Sequence, residues 1–419
     1  MPATSTEQEE KERLDGAVKP VDGFFTTFFV SPYSRYIARW AARRGLTPNQ
    51  VTAASFVLGI LSAACFATGE RWGLVAGAVL LQVAFVTDCV DGQLARYSRQ
   101  FSDLGGWLDA TFDRAKEWLV FAGLAIGADR AGDPVWVLAG AALTLQTLRH
   151  FMDFGWQEVR GAAEAELGRW DAVGAVEWVK RIVAFPIGER FALISITAAI
   201  WSPRTTFIAL LAWGGFAGLY GLAGRALRSR TLDRGSGGPV AWLRDDGPIA
   251  LALAPLGERL DALALCAAAV TPLIAAMAIK GAGASDQLAL GVIGWLLIVA
   301  GITGGRAGRS RLRWLVPVLV RFGEYACLVW IGALAGAEPA AFALVAALAL
   351  RQYDMVYGLR YRGALPGAPT GGWDGRIALA GVLLAVGWLP GGFYVLAAII
   401  AVVSITAAIR DWSTTRRGA

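Results

Sequence analysis

The chain of 419 residues has one histidine, His150, four cysteines and only 17% charged residues. A single histidine excludes multi-histidine metal sites and histidine relays. Cys65, Cys89, Cys266 and Cys327 stand apart in apolar segments without CxxC spacing. That excludes a thiol zinc site or a disulfide framework and leaves them as small packing residues. Chemistry here must rest on carboxylates, thiols, hydroxyls or amines. His150 follows Arg149 at a helix end and reads as a capping or snorkelling residue rather than a catalytic one.

What the chain has in excess is apolar sequence: 56% of its residues are hydrophobic, and its mean hydropathy is +0.49. An ordinary soluble protein has about 45–50% apolar and about 25% charged residues, so this is a membrane protein by composition. The net charge is +6. Its basic residues cluster between apolar runs, so the charge reads as positive-inside topology and contact with anionic lipid, not as nucleic-acid binding.

Residues 1–23 are polar and read as a disordered N-terminus. From Phe24 to Gly45, aromatic residues alternate with Arg35, Arg39, Arg43 and Arg44. This pattern predicts an amphipathic helix in the membrane interface with its arginines toward lipid phosphate, or else a cap on the first span. Six apolar runs follow, at about 50–68, 72–97, 104–127, 134–155, 184–201 and 205–226. Residues 231–246 read as a Gly-rich linker. Six further runs lie at about 258–279, 287–303, 312–335, 339–358, 376–389 and 393–409. Helices of about 20 apolar residues cross a bilayer. The predicted fold is therefore an all-α polytopic membrane protein with a six-helix unit over 24–230 and a second over 247–419. Arginines and lysines, including Arg96, Arg169, Arg225, Arg306, Arg309, Arg416 and Arg417, fall on one side of this scheme. That side, with both termini, is expected to be cytosolic.

The two halves resemble each other. Arg114-x-x-Glu117-Trp118 answers to Arg321-x-x-Glu324-Tyr325, and Leu148-Arg149 to Leu350-Arg351. Arg190-Phe-Ala-Leu answers to Arg376-Ile-Ala-Leu, and Trp201-Ser-Pro203 to Trp388-Leu-Pro390. The order is preserved, which predicts a degenerate internal repeat. The plainer reading is two unrelated bundles of similar composition.

The strongest chemical signal is DCVDGQLARYSRQFSDLGGWLDATFD over 88–113. Asp88 and Asp91 are three residues apart and share one helix face. Asp109 and Asp113, four apart, share a face of the next helix. Gly92, Ala95 and Gly105 are small enough for a ligand to approach the backbone. Four carboxylates in membrane helices are costly and repel one another unless cations intervene. Oxygen-only ligands favour Mg²⁺ or Mn²⁺. Such ions clamp the oxygens of a transferring phosphoryl group, and Arg96 is placed to hold phosphate. A carboxylate left free of metal serves to deprotonate an attacking hydroxyl.

With its spacing D-x2-D-G-x2-A-R-x8-G-x3-D-x3-D, this segment resembles the signature of the CDP-alcohol phosphotransferase (CDP-alcohol phosphatidyltransferase) family at all eight positions. The resemblance covers about residues 24–230. It implies six membrane helices, two divalent cations (Mg²⁺ or Mn²⁺) and transfer of a phospho-alcohol group from a CDP-linked donor to an acceptor alcohol, with CMP released. Asp88, Asp91, Asp109 and Asp113 would hold the metals, with Asp113 the general base. Gly92, Ala95, Arg96 and Gly105 would line the CDP pocket. Thr47-Pro48-Asn49 matches the Pro-Asn step that opens the family's first helix, so Asn49 is expected at the nucleotide or in a helix-start role. Arg149, Lys180, Arg181 and Arg190 lie where members that accept inositol phosphate carry arginines. They would bind an anionic acceptor, or else contact lipid. CDP-diacylglycerol and a CDP-polyol both fit as donor, and the reaction belongs to phospholipid or inositol-phosphodiester synthesis in the cell membrane.

The second half lacks the acids. In the Arg321 register Asp109 and Asp113 fall on Val316 and Val320. In the register that pairs Gly92 with Gly305 and Arg96 with Arg309, Asp88 and Asp91 fall on Gly301 and Gly304. Residues 247–419 are thus expected to be an inactive partner domain, an internal pseudo-dimer with the first half. The alternatives are a 6+6 helix transporter or a non-catalytic scaffold. A transporter predicts functional polar residues in both halves, and the loss of acids from one half weighs against it.

Overall fold

The computed structural model describes residues 5–19, 22–160, 175–231, 241–257, 260–279, 285–303, 310–363 and 370–415. Arg169, Gly304, Gly305, Arg306, Arg309, Arg416, Arg417 and residues 232–240 of the expected linker lie outside the described residues. Among the described residues every element is helical. The fold is all-α, and each of the twelve apolar runs contains a helix.

The first half opens with α1 (Ser5–Ala17), where the sequence predicts disorder. Its own sequence is polar, and the helix is held by its neighbour: Asp15 pairs with Arg35 at 2.7 Å, and Glu10 with Arg43 at 2.8 Å. A π-helical turn, Thr26–Val30, leads into α2 (Ser31–Arg43). Helix α2 is amphipathic as predicted. Ser34, Ala38 and Ala41 face inward, while Tyr33, Tyr36, Ile37 and Trp40 are exposed. Three of its arginines, Arg35, Arg39 and Arg43, also meet the α1 acids.

Thr47 starts α3 (Pro48–Phe66) with a capping box: its Oγ1 accepts from Gln50 N, and Gln50 Oε1 accepts from Thr47 N at 2.9 Å. Helix α4 (Arg71–Ser98) ends at Arg99, which adopts the left-handed conformation at φ 56°. Ser102 then caps α5 (Asp103–Arg130), accepting from Gly105 N at 3.0 Å. Helix α3 packs against both α4 and α5. A Cβ at Gly123 of α5 would run into the Ala63 carbonyl of α3, so this glycine permits the close approach. Helix α6 (Trp136–Arg160) follows. The Glu177–Ala184 and Ile187–Ile200 helices then meet at a 65° bend, where Phe185 has φ 54°. The Pro203–Arg228 helix closes the first half.

Five helices among the described residues are long and apolar enough to cross a membrane: Pro48–Phe66, Arg71–Ser98, Pro203–Thr231, Arg313–Leu334 and Leu389–Ser413. The bent pair adds a sixth if it is one span. Val57, Ile60, Leu61, Val75 and Val79 are exposed, giving α3 and α4 an apolar outer surface suited to lipid. This is a multi-pass membrane protein. Helix α5 has the length to span but carries Asp109, Asp113, Arg114, Lys116 and Glu117, and these charges build the site.

The chain divides into two compact units. One comprises Met1–Val135, Trp170–Ala217 and Tyr357–Ala364. The other comprises Trp136–Arg169, Gly218–Val356 and Leu365–Ala419. The units interleave along the sequence: α6 goes with the second, and Tyr357–Ala364 with the first. Within the second unit His150 contacts the Tyr353 hydroxyl through Nδ1 and Gln146 through Nε2, so it belongs to packing there. All four cysteines are free thiols.

Candidate active site

The aspartates of α4 and α5 converge. Asp88, Asp91 and Asp109 each bring one carboxylate oxygen to within 4.8 Å of the other two. Helix α3 supplies the floor: Thr52 Oγ1 donates to Asp91 at 2.6 Å, and Ser55 Oγ contacts Asp88 Oδ1 at 3.1 Å. Three hard oxygen donors without nitrogen or sulfur fit a divalent cation such as Mg²⁺ or Mn²⁺. Hydroxyls behind two of the carboxylates orient them, as supporting residues do around metal ligands.

Asp113 lies beside this triad. One oxygen lies 3.3 Å from Lys116 Nζ, and the other 3.7 Å from Arg114 NH2. Lys116 also reaches Asp88 Oδ1 at 2.6 Å and Ser55 Oγ at 2.9 Å. Sequence reasoning missed this lysine. Its signal was a cation inside an apolar run, three residues after Asp113.

The expected CDP-binding residues lie on the same helices. Asn49 and Gly105 are neighbours: a Cβ on Gly105 would fall 2.8 Å from Asn49 Oδ1. A Cβ on Gly92 would meet the Arg96 guanidinium at 3.5 Å. Arg96 Nε donates to the Ala17 carbonyl of α1 at 2.6 Å. The Ala95 carbonyl accepts from Gln100 N at 3.0 Å, at the turn out of α4.

The four expected acceptor residues each have partners of their own. Arg190 is buried, with Nε 2.8 Å from Glu117 Oε1, NH2 3.2 Å from Oε2, and NH1 on the Phe185 carbonyl. All three nitrogens are thus used internally. Arg114 donates to the same Glu117 at 3.2 Å, so this buried network ties the Ile187–Ile200 helix to α5. Lys180 pairs with Glu177 at 3.2 Å and is exposed. Arg181 lies over the Trp178 ring at 4.6 Å and donates to the Asp22 carbonyl at 3.3 Å. Arg149 belongs to the second unit and donates to Gln146 at 2.8 Å.

Residues 45–218 match the family model "CDP-alcohol phosphatidyltransferase", and residues 236–419 match a "Family of unknown function (DUF5941)". Residues 45–218 of this chain are a CDP-alcohol phosphatidyltransferase domain. A bifunctional IPC transferase and DIPP synthase of Rubrobacter xylanophilus is 39% identical over 129 residues, covering 30% of this chain and 26% of its own length. A phosphatidylinositol phosphate synthase of Mycolicibacterium smegmatis is 33% identical over 156 residues, covering 37% of this chain and 66% of its own. An archaetidylinositol phosphate synthase of Pyrococcus horikoshii is 36% identical over 91 residues, covering 22% and 47%. The matches thus span less than two thirds of these relatives. The crystal structure of Mycobacterium tuberculosis phosphatidylinositol phosphate synthase with manganese and citrate aligns at a TM-score of 0.33 and 22% identity, covering 48% of this chain and 90% of that one.

Proposed function

We propose that this chain transfers a phosphatidyl group from CDP-diacylglycerol to the hydroxyl of an inositol phosphate, releasing CMP, in inositol phospholipid synthesis. The observation that carries the reading is the convergence of Asp88, Asp91 and Asp109, three of the eight matched signature residues, with carboxylate oxygens within 4.8 Å of one another. The names of the Mycolicibacterium and Pyrococcus relatives support inositol phosphate as the product headgroup. A CDP-polyol donor is the second reading, favoured by the likeness to the Rubrobacter bifunctional protein.

Asp88, Asp91 and Asp109 would hold divalent metal, Mg²⁺ or Mn²⁺, and the resemblance expects two such ions. Bound there, the metal supplies electrostatic stabilisation of the phosphoryl oxygens. The chain's own residues do the rest. Asn49, Gly92, Ala95, Arg96 and Gly105 bind the nucleotide end of the donor, the glycines by allowing close approach. Asp113 takes the proton of the acceptor hydroxyl as its oxygen bonds to phosphorus. The bond from phosphorus to the CMP phosphate oxygen breaks, and CMP departs. Lys180 and Arg181 offer cations for an anionic acceptor. Arg190 acts at one remove, holding Glu117 and with it the register of α5.

Residues 247–419 serve in this reading as an inactive partner domain, a degenerate copy of the first half. Glu324 supports it. Arg321 contacts this buried residue, and Arg376 donates to it from Nε at 2.6 Å, as Arg114 and Arg190 do to Glu117. The sites differ: Val320 and Gly323, at the positions of Asp113 and Lys116, line an apolar cavity with Cys266, Val270 and Trp373. The arginine distribution supports a topology with the termini and site on the cytosolic face of the cell membrane.

The deciding experiment gives purified protein and Mg²⁺ each donor, CDP-diacylglycerol or CDP-inositol, with inositol phosphate or glycerol phosphate. The product is then identified by mass. Phosphatidylinositol phosphate with stoichiometric CMP is expected. Absence of CMP release with every pair overturns the enzyme reading. A homodimer burying the same face of the first half overturns the pseudo-dimer.

A further inference from the structure

Lys116 is 1% exposed and lies within the acid cluster, an uncommon place for a lysine. Its slot is built for it. Gly59 of α3 leaves the space, since a Cβ there would fall 2.5 Å from Lys116 Cγ. Ser55, one turn earlier, contacts its ammonium at 2.9 Å. The Phe191 ring lies 6.0 Å from Nζ on another side, within reach of a cation–π contact. The ammonium bridges Asp88 Oδ1 at 2.6 Å and Asp113 Oδ1 at 3.3 Å. The ammonium thus occupies the space between these two carboxylates that a cation bridging them would fill.

The charges point the same way. Asp88, Asp91, Asp109, Asp113 and Glu117 face Lys116, Arg114 and Arg190 in one connected group. Within this group Lys116 is in contact with both Asp88 and Asp113. A lysine ammonium is a compact point cation with three donors, and here each of three oxygens stands within 3.3 Å of it.

We propose that Lys116 takes the place of a second metal ion. The protein holds one divalent cation, on Asp88, Asp91 and Asp109, and the ammonium bridging Asp88 and Asp113 is its fixed cationic partner. This rests on the reading of the triad as a metal site. It departs from the two-ion expectation that the family resemblance carries, and it makes Lys116 a positioning residue for Asp113 rather than a catalytic one.

Metal stoichiometry tests it without reference to turnover. The purified full-length protein is titrated with Mn²⁺, and free ion is read by electron paramagnetic resonance. One Mn²⁺ per chain with no exchange coupling is expected for the natural protein. Lys116→Ser opens the slot, and its stoichiometry is expected to double to two coupled ions; Lys116→Met, which keeps the volume and removes the charge, is the variant to use if Lys116→Ser elutes as aggregate. Two ions per chain in the natural protein overturn the proposal by themselves, whatever the variants do. One ion in the natural protein and still one in a folded neutral variant overturn the role of Lys116. No Mn²⁺ bound by the natural protein overturns the metal reading of the triad itself, an outcome distinct from a count of two.

Discussion

Arg190 donates from Nε to Oε1 of Glu117 at 2.8 Å, with both side chains buried. The bond joins the Ile187–Ile200 helix to α5, the helix that carries Asp109 and Asp113. Breaking a buried ion pair leaves its partner charged and desolvated. Arg190→Ala is therefore expected to destabilise the protein by about 3–5 kcal/mol, read as a fall in Tm in detergent. A Tm within experimental scatter of the natural protein's would refute a structural role for Arg190.

The same geometry recurs between Arg376 and Glu324, in the second unit. Glu324→Gln is expected to lower Tm while leaving the Mn²⁺ stoichiometry of the folded protein unchanged. Calorimetry and a metal titration on the same preparation check both parts. Loss of metal binding by well-folded Glu324→Gln would contradict the inactivity of the second half.

Asp113 is placed to accept the proton of the acceptor hydroxyl. Asp113→Asn is expected to lower kcat by about 10²–10⁴-fold, the range of a general base, with bound Mn²⁺ retained. Asp91→Asn is expected to lose metal as well as turnover, and a chelator to abolish CMP release reversibly in the natural protein. CMP release that survives the chelator, or kcat unchanged in Asp113→Asn, would remove these assignments.

Thr52 stands behind the triad, its hydroxyl 2.6 Å from Asp91. Thr52→Val keeps the shape and removes the donor. A supporting hydrogen bond of this kind is worth about 10–100-fold in metal affinity, so the Mg²⁺ needed for half-maximal CMP release should rise by that factor. An unchanged Mg²⁺ dependence would show that Thr52 does not orient Asp91.

Gly105 faces Asn49 so closely that a methyl group would come within 2.8 Å of Asn49 Oδ1. Gly105→Ala is expected to raise KM for the CDP donor more than it lowers kcat. Steady-state kinetics decide, and a pure kcat effect would place this contact away from the nucleotide.

Much of this was legible in the residue order. Helix period and apolar run length are local properties, so the helices of the twelve apolar runs and the Thr47 start follow from neighbours along the chain. The spacing Asp88-Asp91 and Asp109-Asp113 likewise assigns each pair to one helix face, whatever the fold around them. What the chain order could not show were contacts made across helices. The polar α1 has good helix formers but no apolar period; its ion pairs with Arg35 and Arg43 and the burial of Leu14 and Ala17 fix where it lies. Arg190 reads as an acceptor ligand or a lipid contact until Glu117 is seen against it, because burial depends on which helix packs there. Lys116 carried no motif, and only the meeting of α3, α4 and α5 set its ammonium between Asp88, Asp113 and Ser55. The sequence by itself determined the helices and the identity of the acids, since both arise from local spacing. The tertiary structure decided which cations stand among those acids, because charge partners in a low-dielectric interior are chosen by packing over long sequence separation.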